Sequence, residues 1–305
     1  MKTVPVSTAY APSYYAKTRQ TSMRKLPLIA AGAEAAGYAR LVAPTPVTRE
    51  QLELIHDPGY VDSIFTGHGP LATSAFGFWS EPYRDGVLAI NGGNLCAAEL
   101  ALAEGIAANV GQGFHHAHAD RGEGFCTFNG LALVAALHPE RQVLVIDCDE
   151  HEGNGTAEFT ETLPNLTTFS ICGSRMGGRT GARAFRQDVA PGDAAAYRGY
   201  LHEALALAAT SRPDLVIYQA GMDPHEDDPL GRAAMTSEFL AERDRLVMET
   251  LALDLRLPFF FVVAGGYQEP LETKLVPLHV QTFAIAAQVA AQLAEQGATP
   301  QEQTR

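Results

Sequence analysis

Apolar and polar positions along this chain alternate in blocks whose period switches between that of a strand and that of a helix. Short runs rich in β-branched, aromatic or small apolar residues, at 3–9, 106–110, 143–146, 166–171, 215–219 and 259–263, read as buried strands. Longer segments between them carry helical spacing: about 26–37, 51–65 with an interruption near Pro58, 85–104, 131–137, 194–209, 237–255 and an Ala-rich stretch at 276–296. The polar, basic and aromatic stretch 14–28 reads as an irregular loop leading into the first helix. Residues 67–83, rich in Gly, Pro and aromatics, read as a second loop, in which Phe76, Phe78 and Trp79 either line a substrate entrance or pack beneath it. Glycines inside a helix cost stability, so Gly92 and Gly93 imply close packing against a neighbour.

Strands alternate with helices without a linker or a repeat. That pattern predicts an α/β fold with a single domain over residues 1–296, built on a mostly parallel central sheet flanked by helices. Residues 297–305 read as a disordered tail.

In such sheets ligands gather beyond the carboxyl ends of the strands, and the chemistry-bearing residues lie there. The run 143–146 breaks off into Asp147, Asp149 and His151, then into a turn with Gly153 and Gly155. Alternate positions of extended backbone project to one side, and carboxylate oxygens with an imidazole nitrogen are donors that zinc or Fe(II) accepts. Spacing alone makes the three equivalent ligands. The strand at 106–110 opens into His115 and His116, a pair able to serve as acid and base, with His118 read as structural or exposed. Asp223 follows the strand at 215–219 closely enough to be positioned by it. Glu226, Asp227 and Asp228 fall farther into the loop and read as solvated. After the strand at 259–263, Gly265 and Gly266 let backbone approach a ligand, and Tyr267 offers a phenol that could polarise a carbonyl.

Composition narrows the picture further. With 305 residues, 46% of them hydrophobic, the chain can bury a large core. A net charge of −13 argues against a nucleic-acid footprint and against binding an anionic membrane. It would suit basic substrates, although many cytoplasmic enzymes are simply acidic. The 4 cysteines, Cys96, Cys126, Cys148 and Cys172, form no CxxC pair, which argues against a disulfide framework or a Cys-rich zinc site. No signal peptide is expected from the N-terminal stretch, and strongly apolar runs such as 259–264 are too short to cross a bilayer, so a cytoplasmic location is the expectation.

The chain resembles the zinc-dependent histone deacetylase and acetylpolyamine amidohydrolase superfamily. The matching motifs are HHA at 115–117, GFCTFN at 124–129, DCDEHEGNGT at 147–156, AGMD with DPLG within 220–231, and GGY at 265–267, all in the family's order. The spellings NVGQGFHH and ADRGEGFC, the non-histidine after His151 and the GGYQ ending are most similar to class IV deacetylase-like proteins. The resemblance implies an arginase/deacetylase-like fold and hydrolysis of acetyl or longer acyl groups from N-acyl-lysine side chains of proteins or peptides. Asp149, His151 and Asp223 would bind Zn2+, with Fe2+ as an alternative. His116 would take a proton from the attacking water and pass it to the leaving amine, with His115 as its electrostatic partner. Asp147 would move off the metal to stand behind His115, and Asn154 would stand behind His116. Tyr267 would donate to the developing oxyanion. Gly124, Phe125, Gly265 and Gly266 would border the acyl channel, and a structural K+ would sit among backbone carbonyls around Asp147, Asp149, His151 and Ser170.

Departures accompany the resemblance. Glu152 replaces the family's frequent second histidine and adds charge near the site. The loop after Cys172 carries Arg175, Arg179 and Arg183, read as solvated, in place of a bulky aromatic. Competing readings are an amidohydrolase of small acetylated amines such as acetylpolyamines, an arginase-like binuclear manganese hydrolase, and a non-catalytic acyl-lysine binder.

Overall fold

Alternate residues of the central strands enter two different cores. Leu144 and Ile146, Val216 and Tyr218, and Phe259 and Phe261 join one apolar cluster; Val143 and Val145, Leu215 and Ile217, and Phe260 and Val262 join another on the opposite face. This is why these strands read as unbroken apolar runs rather than alternating ones. The computed structural model describes residues 2–17, 20–177 and 181–297. In it β1 (Val6–Ala9), β2 (Ala39–Val42), β3 (Ile106–Asn109), β4 (Val143–Asp147), β5 (Leu166–Cys172), β6 (Ala184–Asp188), β7 (Leu215–Gln219) and β8 (Phe259–Val262) form one 8-stranded sheet. The order is β2-β1-β3-β8-β7-β4-β5-β6, and every pairing is parallel.

The helices between them are α1 (Thr21–Ala35), α2 (Arg49–Leu52), α3 (Pro58–Thr66), α4 (Glu81–Glu104), α5 (Gly130–Leu137), α6 (Asn154–Phe159), α7 (Ala194–Ser211), α8 (Ser237–Glu249) and α9 (Val276–Gly297). The pattern at 51–65 splits as its Pro58 implies. A capping box between Thr48 and Gln51 opens α2, while Asp57 caps α3 with Pro58 in its first turn. α1 starts well before the expected boundary, because the polar stretch from Thr21 to Lys25 is already helical. The helix expected to reach residue 255 leaves α-geometry after Glu249 for a π-helical turn at Thr250–Asp254. α9 includes Gly297, and the rest of the expected tail lies outside the described residues.

α4 is apolar and long enough to span a bilayer, but 67% of that stretch is buried inside the fold. It is a core helix, and its glycines show how close the packing is. A Cβ on Gly92 would stand 1.9 Å from the Thr45 carbonyl, and one on Gly93 would stand 1.8 Å from the Tyr14 hydroxyl. The loop aromatics pack rather than line an entrance. Phe76 is buried against Phe78, Tyr83 and Phe125, and Trp79 Nε1 donates to the Ile64 carbonyl.

His56, next to the cap of α3, ties this half of the molecule to the loop after β3. Its Nδ1 donates to the His118 carbonyl at 2.9 Å and its Nε2 accepts the Asn129 amide at 3.1 Å. Burial pushes the imidazole down to about 4. An unfolded histidine takes up its proton near pH 6.5, so the native state loses stability as pH falls from there toward 4, by up to about 1.4 kcal/mol per pH unit from this group. In urea titrations His56→Asn should start lower at pH 7 and fall less steeply between pH 6.5 and 4 than the wild type. An equal slope would place the titration elsewhere.

Candidate active site

β4 and β7 are neighbours with Asp147 opposite Gln219, so the segments leaving their ends run side by side. Beyond β4 each aspartate accepts the amide two residues on: Asp149 N donates to Asp147 Oδ1 and His151 N to Asp149 Oδ1, both at 3.1 Å. These turns fix the side chains before any ligand is considered. Asp223, four residues past β7, accepts the Glu150 amide on Oδ1 at 3.0 Å. Asp149 Oδ2 accepts the Gly265 amide at 2.8 Å, which brings in the segment after β8.

One donor atom each from Asp149, His151 and Asp223 lies within 4.8 Å of the others. His151 Nδ1 stands 3.5 Å from Asp149 Oδ1 and 3.4 Å from Asp223 Oδ2. A tetrahedron with metal–ligand bonds of about 2.0–2.1 Å has edges of about 3.3–3.4 Å, so the spacing suits a zinc-sized ion. Asp223 Oδ2 is buried without a hydrogen-bond partner among the described residues. Burial and Asp149 push the Asp223 carboxyl up to about 7. Burial would lower His151, but the two carboxylates outweigh it and raise the ring to about 11. The cluster therefore calls for a positive charge, and its two oxygens and one nitrogen suit a divalent metal.

Asp147 takes no part in that triangle. Its Oδ2 accepts from His115 Nδ1 at 2.8 Å, so spacing gave three candidates and the geometry brings two of them together with Asp223. His116 Nδ1 instead meets Asn154 Oδ1 at 2.7 Å. The rings of His115 and His116 lie 3.9 Å apart, yet their environments differ. Burial disfavours charge on His115, but Asp147 and Asp149 overcome it and hold the ring above its ordinary value. His116, buried and beside His115, is held well below it. A carboxylate supports an imidazolium and an amide does not, so the two rings differ in how readily they hold a proton, His115 the more readily and His116 the less. The glycines of the GNGT turn permit this approach: a Cβ on Gly153 would lie 2.5 Å from Asp147 Oδ2, and one on Gly155 2.3 Å from the Ala117 carbonyl.

His115, His116, Gly124, Asp149, Gly265 and Tyr267 line one cavity. Gly124 (φ +53°) sits against the His116 ring, where a Cβ would come within 2.6 Å of it. Phe125 follows in the same left-handed region, its ring 6.0 Å from that of Tyr267. Gly266 lies just behind the cavity, and its carbonyl accepts from Lys25 at 3.3 Å. Burial and the nearby Asp223 and Asp149 carboxylates raise the Tyr267 phenol well above 10, so it keeps its proton.

Asp228 is a correction to the sequence reading. It is buried rather than solvated, and its Oδ2 accepts the Tyr267 amide at 2.7 Å, fixing the turn that carries the phenol. Glu226 and Asp227 are exposed as expected. Lys25 and Arg243 escaped sequence reasoning because the first stands in a polar, basic stretch that reads as an irregular loop and the second in a helical segment rich in charged residues. Lys25 is fully buried; its Nζ donates to the Ala264 carbonyl at 2.5 Å as well as to Gly266. Burial lowers it to about 8, against the pull of Asp223, Asp149 and Asp228. Arg243 is buried too, donating to the Cys148 and Gly221 carbonyls at 3.1 and 2.8 Å and so joining the segments that carry Asp149 and Asp223.

Glu152 is paired with Arg186 of β6 at 2.7 Å, which neutralises the charge it adds. Arg175 pairs with Asp188, and Arg183 donates to the Thr160, Leu163 and Leu166 carbonyls, so neither is a free cation; Arg179 lies outside the described residues. Ser170 stands opposite Asp147 in β5, its hydroxyl accepting the Gly153 amide at 3.4 Å.

Comparison with known proteins bears on this arrangement. The histone deacetylase domain family matches residues 18–283. An uncharacterized protein of Picosynechococcus sp. is 36% identical over 232 residues, covering 72% of this chain and 76% of that protein. Histone deacetylase 2 of Arabidopsis thaliana is 29% identical over 264 residues, 75% of this chain and 64% of the plant protein. The acetoin utilization protein AcuC of Bacillus subtilis is 27% identical over 256 residues, 74% of this chain and 66% of AcuC. The chain thus spans just under two thirds of these two relatives. Among solved structures, an acetylpolyamine aminohydrolase from Burkholderia pseudomallei superposes with a TM-score of 0.76 at 20% identity, covering 92% of this chain and 98% of that one, a likeness of fold.

Proposed function

The chain belongs to the histone deacetylase domain family, a family of deacetylases and amidohydrolases, and on that premise we propose that it is a metal-dependent hydrolase removing acetyl or longer acyl groups from N-acyl-lysine side chains. The observation that carries the reading is one cavity on which Asp149, a member of the metal-type triad with His151 and Asp223, meets His116, an imidazole held low, and the protonated phenol of Tyr267.

Asp149, His151 and Asp223 would hold Zn2+ or Fe2+ through Oδ1, Nδ1 and Oδ2. Bound there, the metal would polarise the acyl carbonyl and lower the pKa of water. His116 Nε2, with Nδ1 bonded to Asn154, takes the proton of the water that adds to the acyl carbon. It returns that proton to the amine nitrogen as the C–N bond breaks, leaving a carboxylic acid and an amine, which end as carboxylate and ammonium once the acid proton passes to the amine. His115, held by Asp147, keeps a positive charge beside His116 and the reacting oxygen. Tyr267 donates to the carbonyl oxygen as charge develops on it. Gly124, Phe125, Gly265 and Gly266 leave room for the acyl chain and its linker. The parallel register of β4 and β5, with Asp147 opposite Ser170, supports a K+ among the carbonyls of Asp147, Asp149, His151 and Ser170.

A panel of lysine peptides carrying acyl chains of increasing length, assayed beside acetylpolyamines with and without a chelator, tests the reading. Chelator-sensitive release from a lysine peptide supports it. Release only from acetylpolyamines would move the substrate to small amines, and release from none would overturn it. Metal analysis should find one Zn or Fe per chain, whereas two Mn would favour arginase-like chemistry.

A further inference from the structure

Behind His116, on the side away from the metal-type triad, lies a polar cluster that the hydrolysis above leaves without a task. Its members are His118, Glu123 and Glu158. His116 lies within, and His118 follows, the turn closed by the Ala117 amide on the Phe114 carbonyl, while Asn154 and Glu158 stand one turn apart on α6 and present the same face. Asn154 meets the first histidine and Glu158 the second, its Oε2 2.7 Å from His118 Nδ1. Glu123, on the tight hairpin closed by mutual bonds with Cys126, links the two rows. Its Oε2 lies 2.8 Å from His118 Nε2 and 3.3 Å from Asn154 Nδ2. His118 itself is buried, and its own backbone is fixed by Arg121 and His56.

We propose that Glu123, held in place by His118 and Glu158, is a positioning residue that sets the tautomer of His116 through the orientation of the Asn154 amide. An asparagine amide has a donor end and an acceptor end, and its neighbours decide which way it faces. A carboxylate can only accept, so Glu123 requires the Nδ2 end, and the Gly177 carbonyl at 3.3 Å requires the same. The 3.4 Å separation of Asn154 Nδ2 from His118 Nε2 is that of two donors converging on one carboxylate oxygen. Asn154 Oδ1 is thereby turned to His116 Nδ1, which must carry the hydrogen, and the lone pair is left on Nε2, where a general base needs it. With the amide reversed, Asn154 Oδ1 would face the Glu123 carboxylate, and Nδ2 would take the Nδ1 lone pair. His116 would then carry its hydrogen on Nε2 and have no basic atom for the substrate side.

The kinetic half of this inference rests on the amide-hydrolase reading; the spectroscopic half does not. Long-range 15N–1H correlation spectra of protein labelled with 15N-histidine report each ring's tautomer, and His116 is identified by the signals lost in His116→Phe. The wild type should show His116 with a protonated Nδ1 and an unprotonated Nε2. Glu123→Ala should give a mixture of tautomers, and Glu123→Gln, whose single oxygen can accept both bonds, should restore the wild-type pattern. On an acetyl-lysine peptide, kcat should fall roughly tenfold in Glu123→Ala with KM unchanged, and return in Glu123→Gln. Glu123→Leu carries the same expectations if the alanine variant does not fold. An unaltered His116 tautomer in a folded Glu123→Ala or Glu123→Leu protein would overturn the proposal. A wild type that shows the expected tautomer but hydrolyses no amide would instead overturn the functional reading alone.

Discussion

Tyr267→Phe should lower kcat for acyl-lysine hydrolysis by about 10²–10³, the usual loss on removing one oxyanion donor. The substitution deletes a single O–H. The ring stays braced by Phe125 at 6.0 Å and by the Lys25 ammonium 5.8 Å from its centroid, and the backbone stays pinned by Asp228 at 2.7 Å. Burial and the Asp223 and Asp149 carboxylates hold the phenol well above 10, so the wild-type donor is intact across the working pH range. The loss should therefore appear at every pH rather than as a shifted profile. Metal content and melting temperature should stay near wild type, since no bond from the hydroxyl supports the fold among the described residues. Steady-state kinetics on one acetyl-lysine peptide, with metal measured in both proteins, makes the comparison. A variant keeping more than about a third of the wild-type kcat would remove Tyr267 from the reaction and leave oxyanion stabilisation to other groups.

Which parts of this site could be read from the residues follows from how each is encoded. The central strands announce themselves because both their faces are buried and their spelling is uniformly apolar, as in Phe259–Val262. The edge strands Ala39–Val42 and Ala184–Asp188 do not, because solvent on one side gives them mixed spellings such as AFRQD, and α6 is hidden within a glycine-rich turn. Asp149, His151 and Asp223 stand out since strand ends crowd ligand-type residues together. The spacing could not say that Asp147 would turn toward His115, because that depends on a loop from another strand. Supporting residues were the least legible. Asp228 is spelled like its exposed neighbours Glu226 and Asp227, and only the fold decides that it accepts an amide instead of water. Arg243 and Lys25 sit in polar helical stretches, and each is drawn inside by main-chain carbonyls that have no signature in the sequence. Tertiary partners, not local propensity, define this layer of the site.

Asp223→Asn is expected to have opposite effects on the metal-loaded and the chelated protein. Asp223 Oδ1 accepts the Glu150 amide at 3.0 Å, a bond an asparagine oxygen can keep. Oδ2 is buried with no partner among the described residues, in a cluster where Asp149 already carries charge. Without a cation that carboxylate is unfavourable, as its rise to about 7 through burial and Asp149 indicates. The neutral amide removes a buried like charge, so the chelated variant should melt at or above the temperature of the chelated wild type. With zinc added, the wild type gains stability in proportion to RT ln(1 + [L]/Kd), and the variant, binding at least about a hundredfold more weakly, should gain little. Hydrolysis should fall below detection in the variant at metal concentrations that saturate the wild type. Calorimetric melting in chelator and in a zinc titration reads both signs from one pair of proteins, independently of any substrate. If the variant were destabilised equally in both conditions, Asp223 would be serving the fold through the Glu150 amide, and the triad would no longer stand as a metal centre.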